Sequence, residues 1–141
     1  MQQTVSEMLR AFPKTPIGGD DLAACIDACF DCAQTCIACA DACLAEDRVS
    51  TLTRCIRLNL DCASICETTG QLLTRQYQPD LELLRRTIDL CRLACETCAV
   101  ECERHAAMHE HCRICGEACR GCEQACQKLL AAFDAARAAP H

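Results

Sequence analysis

Residues 25–43 read CIDACFDCAQTCIACADAC, with cysteines at 25, 29, 32, 36, 39 and 43. Alternating steps of four and three return side chains to one face of an α-helix, whereas a strand needs steps of two. A coiled coil places leucine at such positions; this chain places a thiol at each of them. The stripe extends about 27 Å at a rise of 1.5 Å per residue. It therefore describes a wall of thiols and not a point site.

The same spacing recurs downstream, at Cys55, Cys62 and Cys66, at Cys91, Cys95, Cys98 and Cys102, and at Cys112, Cys115, Cys119, Cys122 and Cys126. Four cysteine-striped helices follow. Asp20 in TPIGGDD is the expected N-cap of the first, Asp47 or Ser50 that of the second, and Pro79 suits the first turn of the third. The break near RHAAMHEH is the least marked. Short connections favour antiparallel neighbours. The predicted fold class is thus all-α, an antiparallel up-down-up-down four-helix bundle over 20–141, preceded by a short N-terminal helix and linker over 1–19. Val5, Met8, Leu9 and Phe12 give that first segment an apolar face.

In the first striped helix, Ile26, Phe30, Ala33, Ile37 and Ala40 follow the cysteines by one position, and Asp27, Asp31, Gln34 and Asp41 by two. Thiols face inward, an apolar flank meets a neighbour, and acids meet water. Extending the stripes orients the bundle. Leu22, Thr69, Leu73, Leu81, Leu84, Ile88, Leu129 and Phe133 converge on one end as a hydrophobic plug. Glu46, Leu52, His105 and Met108 fall at the other, with His109 and His111 in the same connection; of these histidines, His111 is read as solvated. His141 is terminal. Asn59 lies on an inward stripe, in reach of the thiols.

Eighteen of 141 residues are cysteine, above the ~8–10% that marks a disulfide scaffold in a short secreted chain. Buried cysteine can serve as a small apolar residue, but valine or alanine would fill the same space without the oxidation hazard. Disulfides within a helix are strained, because i,i+3 and i,i+4 Cβ atoms lie ~5–6 Å apart and a bridge needs ~3.5–4.5 Å. A metal tolerates the wider gap, with bonds of ~2.3 Å to each sulfur. Ligating cysteine is deprotonated, and eighteen uncompensated charges cannot occupy a narrow apolar tube. A soft monovalent ion at about one per thiolate neutralises them, and thiolates select Cu(I). Zn²⁺ prefers separate tetrahedral sites, and the uniform stripes show no grouping into fours. Iron–sulfur clusters draw cysteines from loop runs such as CxxCxxC more often than from helical stripes. Three readings stay open: a Cu(I) store, a redox protein with iron–sulfur clusters or switching disulfides, and a zinc buffer.

The net charge of −6, with both signs interspersed, argues against nucleic acid and anionic membrane surfaces as partners. Residues 1–19 lack a basic start followed by an apolar run, so no secretory signal is expected. No uninterrupted run of 18 apolar residues is present to span a membrane. A cytoplasmic location is the expectation. No Ser/His/Asp set, phosphate loop or paired acid points to an enzyme.

The four stripes 25–43, 55–66, 91–102 and 112–126, with the His/Met mouth, resemble the bacterial copper storage proteins, and specifically their cytosolic branch. The resemblance covers nearly the whole chain. It implies that the eighteen cysteines bind many Cu(I) ions along the core, that His105, Met108 and His109 admit and release them, and that the protein forms a homotetramer. Copper chaperones or small-molecule chelators are the implied partners. The family's secreted members have a more methionine-rich mouth, whereas this one is mostly histidine. Ile26, Phe30 and Ile37, read as exposed, are compatible with a tetramer interface or with packing of helix on helix. A plug of leucine and flanks of alanine imply that the metal-free chain is already folded.

Overall fold

The computed structural model describes residues 3–138, so His141 lies outside the described residues. Five α-helices follow one another: α1 (Gln3–Ala11), α2 (Gly19–Leu44), α3 (Thr53–Thr74), α4 (Leu81–His105) and α5 (Glu110–Ala138), with a 3₁₀ turn at Val49–Thr51. Among the described residues there is no strand. Helices α2 to α5 form a ring in chain order: α2 packs on α3 and α5, and α4 packs on α3 and α5. This is the all-α, up-down-up-down bundle that the stripes predict. Helix α1 lies against α2.

Helix α2 is long and apolar enough by composition to cross a membrane. Its apolarity comes largely from cysteine and alanine, and its whole cysteine stripe is buried against the other helices.

The helix starts differ from those expected. Gly18, not Asp20, caps α2, with φ at 103°, a left-handed backbone that glycine adopts without steric cost. A Cβ there would also stand 2.8 Å from Leu129 Cδ1. The position thus lets the chain enter α2 pressed onto the end of α5. Asp20 and Asp21 occupy the first turn, where carboxylates complement the helix dipole. Neither Asp47 nor Ser50 caps α3; Leu52 holds that position without a side-chain bond and is fully buried. Burial of its side chain fixes the start instead. Asp80 caps α4 by accepting from the Leu83 amide at 2.9 Å, so Pro79 lies just before the cap.

The plug forms from Leu22, Thr69, Leu73, Leu84, Ile88, Leu129 and Phe133, all buried. Leu81 is the exception: at the first turn of α4 it is half exposed. Gln76 locks this end, accepting from the Ile17 amide at 2.8 Å and donating to the Leu73 carbonyl at 2.7 Å. Ile26 is also buried and Phe30 is half-buried, in line with packing of helix on helix and not with an exposed interface residue. Both line a groove of about 740 Å³ with Val5, Met8, Leu9 and Phe12 of the N-terminal segment. Phe30 further lies on Gly70 of α3, where an added Cβ would stand 2.8 Å from its ring. Glycine at 70 permits that close α2–α3 approach. On the opposite side, α4 and α5 are tied by Arg85–Asp134 and by Arg120, which donates twice to Glu103 at 2.9 Å.

Candidate metal centre

All eighteen cysteines lie within the bundle, are buried, and carry free thiols. The four stripes turn them toward one axis. Neighbouring sulfurs sit 3.5–4.0 Å apart both within a helix, as for Cys32–Cys36 and Cys62–Cys66 at 3.8 Å, and between helices, as for Cys66–Cys95 at 3.5 Å and Cys36–Cys119 at 3.7 Å. Bonds of ~2.3 Å from a shared metal span such gaps.

Contrary to the reading of ungrouped stripes, the sulfurs do gather in fours: Cys29, Cys91, Cys122 and Cys126; Cys32, Cys66, Cys95 and Cys122; Cys32, Cys36, Cys62 and Cys119; Cys36, Cys98, Cys115 and Cys119. The groups share corners. Cys122 links the first to the second, Cys32 the second to the third, and Cys36 with Cys119 the third to the fourth. Isolated tetrahedral sites need separate ligand sets, whereas bridging thiolates need this sharing.

Asn59 interrupts the column and is fully buried. Its Oδ1 accepts from the thiols of Cys98 and Cys115 at 3.1 Å and from Cys102 at 3.6 Å, while its Nδ2 donates to Cys55 at 3.6 Å. One amide thereby orders thiols from α3, α4 and α5.

At Cys25, hydrogen bonding and burial pull in opposite directions. Cys25, at the plug end, accepts from Cys126 and then Cys29, which hold it down to about 5. Cys43, at the mouth, is pushed up to about 11 by burial and then by the neighbouring Cys55. Burial likewise raises Cys112.

At the mouth, the histidines and Glu46 divide the roles differently from the sequence reading. His109 Nδ1 lies 2.8 Å from Glu46 Oε2. His105 Nε2 lies 2.9 Å from Glu101 Oε2, on its own helix. Met108 is 76% exposed, so its thioether stands outside the column. His111, read as solvated, is instead half-buried, with Nδ1 3.4 Å from Cys39 Sγ and 3.7 Å from Cys112 Sγ. It completes a fifth group with Cys39, Cys43 and Cys112. The sequence signal for it is its place four residues before Cys115, on the stripe of α5. Glu46 runs opposite to a buried acid: the hydrogen bond from His111 lowers it below the usual carboxylate range.

A family model described as Csp, copper storage protein, matches residues 19–131. No curated protein sequence gives a match. Among solved structures, the copper storage protein Ccsp from Streptomyces lividans, loaded with 10 copper equivalents, is 50% identical. It aligns with a TM-score of 0.87 over 90% of this chain and 98% of that one. A cytosolic copper storage protein from Streptomyces lividans with five coppers is 53% identical, with a TM-score of 0.78 over 79% of this chain and 93% of that one. The Cu(I)-bound copper storage protein BsCsp3 is 33% identical, with a TM-score of 0.70 over 79% and 99%. The buried thiol column, the family match over most of the bundle and these alignments agree: the chain belongs to the copper storage protein family.

Proposed function

We propose that the protein is a cytosolic store of Cu(I), holding many ions per chain through the cysteine column and doing no catalysis. The observation that carries this is the sharing of corners between four-sulfur groups. Each thiolate can bridge two soft monovalent ions, so charge neutralises locally along the tube and filling proceeds as a chain. The cytosolic assignment is supported by the Streptomyces lividans relative described in those terms.

The eighteen cysteines are the storage ligands. His105, Met108 and His109 flank the entrance, joined by His111, whose ring already faces two thiols. The exposed Met108 is an outer docking ligand and not part of the column. Copper arrives from and leaves to chaperones or small chelators that meet this mouth. Assembly as a homotetramer is supported by half-exposed apolar side chains on the outer face of α4, namely Leu83, Leu90, Leu93 and Val100.

The test is to express the protein in copper-supplemented cells, purify it anaerobically and measure its metals. Copper far in excess of zinc and iron, with no visible absorption bands, supports the store. Stoichiometric zinc would instead make it a zinc buffer, and iron with acid-labile sulfide a cluster protein.

A further inference from the structure

Glu46 lies beyond the end of α2, in the connection to α3, yet it reaches across the mouth to the connection between α4 and α5 and to the first turn of α5. One of its oxygens, Oε2, is 2.8 Å from His109 Nδ1 and 2.8 Å from His111 Nε2. The two rings stack with centroids 5.4 Å apart, so the carboxylate holds them as a pair. An ionised carboxylate only accepts. Each ring nitrogen facing it therefore carries the hydrogen, and in the neutral ring the other nitrogen is bare. For His111 the bare nitrogen is Nδ1, the one 3.4 Å from Cys39 and 3.7 Å from Cys112. For His109 it is Nε2.

We propose that Glu46 is the positioning residue of the copper mouth: it sets His109 and His111 in opposite tautomers and turns the bare Nδ1 of His111 onto the outermost thiols. This inference rests on the copper-storage reading for its purpose, though not for its geometry. A carboxylate behind a ligating imidazole fixes the ring and raises its basicity. An arriving Cu(I) ion then displaces protons from the thiols of Cys39 and Cys112 and meets a lone pair on His111 without waiting for a tautomer exchange. The same carboxylate joins the two connections that frame the mouth, so the entrance has its shape before metal arrives. Sequence alone marks Glu46 only as a residue one turn past Cys43.

The experiment uses the full chain with ¹⁵N-labelled histidine. In the metal-free protein, two-bond proton–nitrogen spectra should show His111 protonated on Nε2 and bare on Nδ1, with His109 the reverse. Glu46→Gln, at a side chain one-third exposed, keeps the fold but offers an amide that donates as well as accepts, and should mix or invert one tautomer. Glu46→Asp should restore the pattern in part. On Cu(I) addition the His111 Nδ1 signal should move. The chelator concentration that returns it to its metal-free position should fall about tenfold in Glu46→Gln, the lower end of the loss seen when such a supporting group is removed. A wild-type His111 bare on Nε2 would overturn the proposal, as would a Glu46→Gln variant with unchanged tautomers and unchanged chelator response. If the wild-type protein took up no Cu(I) while the tautomers were as stated, the storage reading would fail and the positioning of the rings would stand.

Discussion

At the scale of single residues, the most consequential side chain that is not a thiol is Asn59. Its carbonyl oxygen takes hydrogen bonds from Cys98, Cys102 and Cys115. Asn59→Ala would leave buried donors without an acceptor and open a small cavity in the column. The expected cost is about 1–3 kcal/mol, read as a lower urea midpoint for the metal-free protein with helical content retained. The place of Asn59 on an inward stripe is legible from spacing alone, but its four partners are not, because they come from three helices. His111 shows the converse. Its spacing to Cys115 marks the inner face, yet its place in the first turn of α5, at the open end of the bundle, hides whether the ring turns to water or to sulfur. The tertiary contact with Glu46 decides it.

At the scale of elements, cysteine spacing identifies α2 to α5, since a period near 3.6 sustained over many residues has one physical reading. Helix starts are less legible. Leu52 begins α3 without a side-chain cap and Gly18 begins α2 in a left-handed conformation, because packing onto other helices holds the chain there more firmly than a cap would. Helix contact also explains Gly70. In an exposed helix, alanine would be favoured over glycine by up to about 1 kcal/mol. Here its Cβ would stand 2.8 Å from the Phe30 ring, and overpacking costs about 1–3 kcal/mol. Gly70→Ala should therefore lower the thermal midpoint. Pairing it with Phe30→Leu, which clears the space, should recover part of the loss; additivity of the two would contradict the contact.

At the scale of the whole molecule, burial keeps the mouth thiols Cys43 and Cys112 protonated until metal replaces the protons. Cys43 is the clearest case, pushed up to about 11 by burial. A thiol whose folded value lies above its unfolded one, ~8.5, adds stability that is complete at lower pH. That contribution fades as pH rises from the unfolded value toward about 11, because the unfolded chain sheds its proton first. The thermal midpoint of metal-free protein should thus fall across that window, while that of copper-loaded protein, its thiols already deprotonated, should change less. Binding itself releases protons. Cu(I) addition in weak buffer should acidify the solution in proportion to copper bound. The ring order of helices follows from short connections and was legible; the covering of Ile26 by the N-terminal segment was not, since nothing in a stripe records where a neighbouring helix lies.

On the proposed mechanism, the thiol column is folded before copper arrives and fills along its length. Anaerobic Cu(I) titration of the reduced, metal-free protein, with far-UV circular dichroism at each step and elemental analysis after gel filtration, tests it most directly. A helical spectrum from the first point and copper rising toward about one ion per thiolate are the predicted results. An unfolded chain that becomes helical only with metal, or saturation after only a few ions, would contradict it.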